Sequence, residues 1–400
     1  MSLTSSPLSS AIAIKLQLEN SLAQLGEIGE CVLLNYPDYA NVGDHLIGLG
    51  TIIYLLKNSQ IKLTYLSAIE NHNSQIFDQK LNNNSGNTTI LLQGGGNLGD
   101  LWYEQQTFRE EIIQKYPQHR IIILPQTIYF QAPEKLQQAA QIFNHHPNLT
   151  ICVRDRHSQQ LARTYFSNCQ IILAPDMAFM LADLPGLKFF RTNWQQQNHI
   201  LYHCRDDQEI VSSLNSQVLE LFNSGSNPSA NLLVNQLPKL VIEDWLPPDN
   251  YLHRSHITPE SAWYWRLPGV VRIYRQLWQQ RLAQSMSWLS RGFWDHDHPY
   301  SVMFTNLSAT VENTEMLKIS WDYLHKSIYQ LNRFPFVITN RLHGHILCTL
   351  LEIPHIFLPN SYGKNQNWYT TWTQSIPFCR YVDNSSVIIP TIKELCPKFL

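Results

Sequence analysis

The amino-acid sequence predicts an α/β protein built on parallel β-sheets and divided into two domains. Three observations lead there. The chain has 400 residues, more than the roughly 250 to 300 at which a single hydrophobic core usually stops growing. Between about residues 30 and 180, short apolar runs alternate with segments of helical period, the pattern of a parallel sheet flanked by helices. A strand, tight turn, helix and strand then recur in "FVITNRLHGHILCTLLEIPHIFLPN" at 336–360.

Along the chain, "MSLTSSPLSSAIAIKLQLENSLAQLGE" has neither a basic leader nor a long apolar core, so it is expected to form a capping helix and not a signal peptide. The strands of the first set are "CVLLN" (31–35), "KLTYLS" (62–67), "TILLQ" (89–93), "RIIILPQ" (120–126), "LTICVRD" (149–155) and "QIILAPD" (170–176). Helices are predicted at 44–57, 103–116, 133–144 and 156–166. Together these form an N-terminal doubly wound unit assigned to residues 1–190. The C-terminal unit, 191–400, begins with "HILYHCRDD" (199–207) and resumes at 336. The section between holds "GSNPSA", "LPPDN" and an aromatic, Arg-rich helical run from Val270 to Leu289, whose commonest explanation is an amphipathic core helix. The Asn/Ser-rich stretch at 82–87 reads as a loop.

Composition excludes several function classes. Hydrophobic residues make up 44% and charged residues 15%, as in a globular protein and unlike a disordered one. A formal charge of −2 leaves no global field to draw the chain onto nucleic acid or an acidic bilayer. No run approaches 18 uninterrupted apolar residues, so membrane contact is expected to be peripheral at most. The seven cysteines are scattered, without a CxxC pair or zinc spacing, which reads as reduced, buried thiols in a cytoplasmic protein with no metal site.

Ligands of open α/β sheets bind beyond the carboxyl ends of the strands. Here those ends carry Asn35 with Asn41, Gly43 and Asp44; Gly94, Gly95, Gly96 and Asn97; Gln126; Arg154 and Asp155; and Asp176. The glycine triplet permits close backbone approach to a ligand or a simple chain reversal; its spacing fits neither a P-loop nor a dinucleotide fingerprint. Asp44 stands at a helix start, where capping is its commoner role, while Asn41 and His45 are placed to meet sugar hydroxyls. A local salt bridge or cap explains Arg154, Asp155 and Arg156 as well as ligand binding does.

The C-terminal segment is more specific. "ITNRLHGHIL" puts Asn340, Arg341, His343 and His345 at a strand end and on the first turn of a helix. A helix N-terminus favours anions, Arg341 offers a planar fork for carboxylate or phosphate, and His343 can move a proton near neutral pH. Lys364 in "NSYGKN" and Arg205 after "ILYHC" lie at further strand ends. Each alone is most simply a solvated charge; together they point to an anion site.

The motifs "NVGDHLI", "LLQGGGNLGDLW", "ILPQTIYF", "VRDRHS", "APDMAF", "RDDQE" and "VITNRLHGHILCTLLEIPHIFLPNSYGKN" occur in the order seen in polysaccharide pyruvyl transferases, and over roughly residues 30–375 the chain resembles that family. The match is poor from 208 to 335. The resemblance implies two Rossmann-like domains facing across a cleft, as in GT-B glycosyltransferases. It implies donor recognition of phosphoenolpyruvate by Arg205, Arg341, the backbone at Leu342, His343 and Lys364, with His343 and Arg341 in catalytic roles. The saccharide acceptor, with a lipid-linked form among the options, is expected against Asp44, Asn97 and Trp102. Phosphoenolpyruvate is a co-substrate, and no further cofactor is expected. Two alternative readings share the architecture: a nucleotide-sugar glycosyltransferase, and a non-catalytic sugar-binding subunit.

Overall fold

The computed structural model describes residues 9–82, 88–184, 187, 199–205, 209–223, 238–245, 307, 311 and 315–399. Helix α1 (Ser10–Ala23) starts where Ser9 accepts from the Ile12 N–H, and it buries Ala11, Ile14, Leu18 and Leu22, one stripe at helical spacing. The expected N-terminal helix is therefore present. After it come β1 (Glu30–Leu34), α2 (Val42–Lys57), β2 (Lys62–Leu66), α3 (Ser74–Asn82), β3 (Thr89–Leu92), β4 (Gly95–Gly99) and α4 (Tyr103–Lys115). The first half continues through β5 (Ile121–Tyr129), α5 (Pro133–His145), β6 (Leu149–Val153), α6 (Arg156–Tyr165), β7 (Gln170–Leu173) and a 3₁₀ helix, Met177–Asp183.

These strands make a seven-stranded sheet in the order β2-β1-β3-β5-β6-β7, with β4 also on β5. Every pairing is parallel. Strands covered on both faces lose the polar alternation of a one-sided sheet, which is why they read as unbroken apolar runs. One expectation is corrected: the glycine-rich segment after β3 is no mere turn. Its residues Gly95–Gly99 form β4, which pairs with the second half of the long strand β5.

The second sheet is built from β8 (His199–His203), β9 (Lys239–Glu243), β10 (Val337–Thr339), β11 (His355–Phe357) and β12 (Cys379–Tyr381), in the order β12-β11-β10-β8-β9 and again all parallel. Its helices are α7 (Ser212–Asn223), α8 (Glu315–Asn332), α9 (Leu342–Leu350), α10 (Lys364–Trp368) and α11 (Ile388–Leu395). The run from Val270 to Leu289, "GSNPSA", "LPPDN" and residues 83–87 lie outside the described residues.

One apolar cluster runs through both halves, joining α1, α2 and the 3₁₀ helix to α8, α9 and the inner face of the second sheet. Helix α2 is buried over most of its circumference, including Gly48 and Gly50, because α8 and α9 cover the sides that the first sheet leaves open. Polar pins reinforce the contact. Ser320 of α8 sits 2.9 Å from Tyr36 Oη and 2.8 Å from His45 Nδ1, and Tyr323 stacks on His45. Separate clusters cover the outer faces of the two sheets. All seven cysteines are free, five of them buried. Among the described residues no helix is long and apolar enough to cross a membrane.

Candidate active site

The carboxyl ends of both sheets open onto one cavity of about 660 Å³. From the first half it is lined by the β1–α2 connection, Gly96 and Asn97 of β4, the Leu101–Gln105 segment, and Arg154 after β6. From the second half come Arg205 after β8, Glu209, Asp244 and Trp245 after β9, Arg341 to His343 at the start of α9, and Lys364 at the start of α10. Residues scattered from 35 to 364 meet here because parallel strands deliver their carboxyl ends to the same edge.

Four cations converge on this space, each held by a carboxylate. Arg154 is buried and donates from Nη1 to Asp176 (2.6 Å) and from Nε to Thr127 (2.8 Å). Arg341, at the N-cap of α9, grips Asp244 with both Nε and Nη2. Glu209 binds Arg205 Nη1 at 2.8 Å and, through the same oxygen, Lys364 Nζ. Burial is the largest influence on Lys364 and brings its pKa down to about 8, with Glu209 opposing and Arg205 and Arg154 adding to the fall. Gly96 makes the approach possible, since a Cβ there would come within 2.9 Å of Arg154 Nη2 and 3.9 Å of Lys364 Nζ.

His343, on the first turn of α9, turns Nε2 toward Asp176 Oδ2 at 3.5 Å. Nε2 is sealed from solvent with no hydrogen-bond partner among the described residues. The opposite ring edge lies on Gly43: a Cβ at that position would stand 2.1 Å from His343 Nδ1. Only glycine lets the ring sit there. Burial works against the charge on Asp176, but His343 and Arg154 outweigh it and hold the pKa to about 2. Across the wall, Asp44 accepts from Tyr39 Oη at 2.9 Å. Burial, partly opposed by His343 and Tyr39, lifts Asp44 above the ordinary carboxylate range. At the mouth, Asp38 is raised to about 6, first by burial and then by Glu70. Trp102 and Tyr103 stay 37% and 62% exposed there, so their ring faces are available to a ligand.

The sequence profile of the family described as polysaccharide pyruvyl transferase matches residues 41–362, from Asn41, two residues before the glycine under His343, to Tyr362, two residues before Lys364. The chain belongs to the polysaccharide pyruvyl transferase family. It is 30% identical over 379 residues to the EpsO protein of Bacillus subtilis, assigned as a pyruvyl transferase, covering 94% of this chain and 96% of that one. It is 25% identical to Pyruvyl transferase 1 of Schizosaccharomyces pombe, covering 92% and 74%. A crystal structure of an uncharacterised protein from Klebsiella pneumoniae shares the fold, with a TM-score of 0.51, 17% identity, and 93% and 99% of the two chains covered.

In this pyruvyl transferase the structure brings Arg205, Arg341, Leu342, His343 and Lys364 to the lining of one cavity, together with Asp44, Asn97 and Trp102. Asn97 is largely committed: its Oδ1 accepts from Arg109 Nη2 (2.8 Å) and Gln126 Nε2 (3.0 Å). The capping role expected of Asp44 belongs to Asn41, whose Oδ1 accepts from Gly43 N at 3.0 Å and so frees Asp44 to face the cavity. His45 is turned away from the cavity: it is fully buried, with Nε2 2.9 Å from Tyr39 O and Nδ1 2.8 Å from Ser320 Oγ. Asp155 caps α6, as one of the two sequence readings had it, with Oδ1 accepting from Ser158 N at 2.7 Å. Sequence reasoning did not reach Tyr39, Glu209 or Asp244, nor the pairing of Arg154 with Asp176. The runs "VRD" and "APD", each closing a strand, carried the signal for that pair.

His345 of the transferase lies outside the cavity, in a buried group with His355 and Cys379 whose donor atoms fall within 4.8 Å of one another. These three are the residue types that hold a soft metal ion. The geometry is that of a hydrogen-bonded chain, with His345 Nδ1 and His355 Nε2 at 2.7 Å, His355 Nδ1 and Ile353 O at 2.7 Å, and His345 Nε2 and Thr373 Oγ1 at 3.0 Å. Two neutral rings satisfy every one of these bonds. Burial pushes His355 down to about 4 and His345 well below its ordinary range, which keeps both neutral.

Proposed function

We propose that this transferase takes its pyruvyl group from phosphoenolpyruvate and places it as a ketal on two hydroxyls of a saccharide, in the cytoplasm, for a surface or extracellular polysaccharide. The observation that carries this reading is the convergence of Arg154, Arg205, Arg341 and Lys364 with His343 on one cavity at the strand ends of both sheets. A carboxylate and a phosphate brought into one cleft need several fixed cations to offset desolvation. Arg341, Arg205 and Lys364 hold these two anions, and the first N–H groups of α9 at Leu342 and His343 add a helix terminus. The proposed architecture is GT-B-like: Rossmann-like units over 1–190 and 191–400, the first taking the acceptor and the second the donor.

Chemically, His343 protonates the donor's methylene carbon, which makes its neighbour electrophilic. An acceptor hydroxyl adds there, with Asp44 placed to receive its hydrogen bond. A second hydroxyl displaces phosphate, whose developing charge the cations stabilise. Trp102 supports an apolar sugar face. The reading is tested by phosphate release from phosphoenolpyruvate over a panel of sugar acceptors, together with thermal unfolding of the purified chain. Phosphoenolpyruvate should raise the melting temperature and nucleotide sugars should not, because a ligand stabilises only the state it binds. A shift with a uridine or guanosine diphosphate sugar alone would favour glycosyl transfer instead.

A further inference from the structure

We propose that Asp176 is a positioning residue for pyruvyl transfer: its carboxylate holds a hydrogen on Nε2 of His343 and so makes Nδ1 the nitrogen that serves the donor. This rests on the reading of His343 as the proton donor to phosphoenolpyruvate. Both carboxylate oxygens of Asp176 are engaged. The residue caps the 3₁₀ helix, with Oδ1 accepting from Ala178 N at 2.9 Å, and Oδ2 receives Arg154 Nη1 at 2.6 Å. Arg154 is fixed in turn by Thr127 at 2.8 Å and by Trp372, whose Nε1 donates to the Arg154 carbonyl at 2.7 Å.

His343 Nε2 faces that carboxylate at 3.5 Å, sealed and otherwise unpartnered among the described residues. An ionised carboxylate only accepts, so the nitrogen turned to it is stable as N–H and not as a lone pair. Closing to a full hydrogen bond needs a shift of only about half an ångström. Nδ1, lying over Gly43 of the cavity wall, is then the exchangeable position. Among the described residues, the charged groups near the ring also include Asp44 and, behind Asp176, Arg154.

In the step itself, the Nδ1–H bond of the imidazolium breaks and the enol π pair takes that proton to form the methyl group. The oxygen-bearing carbon becomes cationic and one hydroxyl oxygen bonds to it, returning its proton to Nδ1. The second hydroxyl then displaces phosphate, which leaves with that hydroxyl's proton. Throughout, Nε2–H stays on Asp176, which offsets the ring's positive charge without taking its proton.

The test is a two-bond ¹H–¹⁵N correlation on the full-length chain labelled at histidine, with His343 assigned by the signals missing from His343→Gln. The parent should show the Nε2–H form. In Asp176→Asn, with Oδ1 still accepting from Ala178 N, the side-chain NH₂ replaces the oxygen that Arg154 and His343 share, so the Arg154 bond is lost and the NH₂ turned to Nε2 favours the Nδ1–H form. Turnover should fall by about 100- to 10,000-fold, with the phosphoenolpyruvate Kd within about threefold of the parent. An Nδ1–H form in the parent overturns the proposal, as does a variant with parental turnover; a role limited to helix capping would move neither readout. The parent spectrum decides even if the variant does not fold. It needs no turnover, so failure of phosphoenolpyruvate as donor would be seen separately.

Discussion

Lys364→Met separates what the cation does for binding from what it does to stability. In the folded chain Lys364 is buried and its pKa falls from 10.5 to about 8, burial being the main cause. A difference of that size corresponds to about 3 kcal/mol of destabilisation at pH 7, where the ammonium is charged in both the folded and unfolded states. Methionine keeps the stem volume and removes the charge. Glu209 is not stranded, because Arg205 still bonds it at 2.8 Å. After allowing for that lost pairing, the variant should be more stable than the parent by about 1 to 3 kcal/mol at pH 7. The pH dependence sharpens the test. Between about pH 8 and 10.5 the unfolded parent binds a proton at this position that the folded parent has released, so the parent gains stability as pH rises through that window. The variant lacks that rise. Its affinity for phosphoenolpyruvate should weaken by about 1.5 to 3 kcal/mol, the worth of a charge-assisted hydrogen bond. Urea unfolding across pH and calorimetric titration measure both halves. A variant that is less stable at pH 7, keeps the alkaline rise and binds the donor as before would refute the reasoning.

Gly43→Ala drives a methyl into the His343 ring; turnover should drop by about 100-fold or more with the fold retained by circular dichroism, and an unchanged rate would show that the ring's seat on Gly43 is irrelevant. Acid should destabilise the chain between about pH 6.5 and 4: the buried imidazoles of His45 and His355 have pKa values near 4, so the unfolded state takes up protons first. Melting temperatures followed over that range check this, and His355→Phe should flatten part of the slope. Activity should survive dialysis against a chelator, since neither the cation cluster nor the neutral His345–His355 chain needs an ion; loss restored by zinc would give the His345, His355 and Cys379 group a metal.

The parallel sheets were legible because strands covered on both faces are apolar along nearly their whole length, as β1 is from Cys31, β3 from Ile90 and β6 at all positions but Thr150. β4 was not, because its glycines carry no pattern and its identity depends on pairing with β5, an element that follows it in the chain. Arg341, His343 and Lys364 announced themselves through local signals, a strand end followed by a helix start. Asp44 was found but given the wrong first role, since Asn41 and Asp44 are both competent caps and only the backbone angles at 41 decide between them.

By itself the sequence determined the α/β class, the strand ends as the candidate site, and the cationic side chains of the C-terminal half, because those follow from periodicity and from residues a few positions apart. The tertiary structure alone decided the partners. Glu209 joins Arg205 to Lys364, Asp244 holds Arg341, and Asp176 links Arg154 to His343. Gly43 exists for an imidazole 300 positions away. Such pairings are set by how two sheets and their helices pack into one shared core, and a linear pattern carries no record of which strand end faces which.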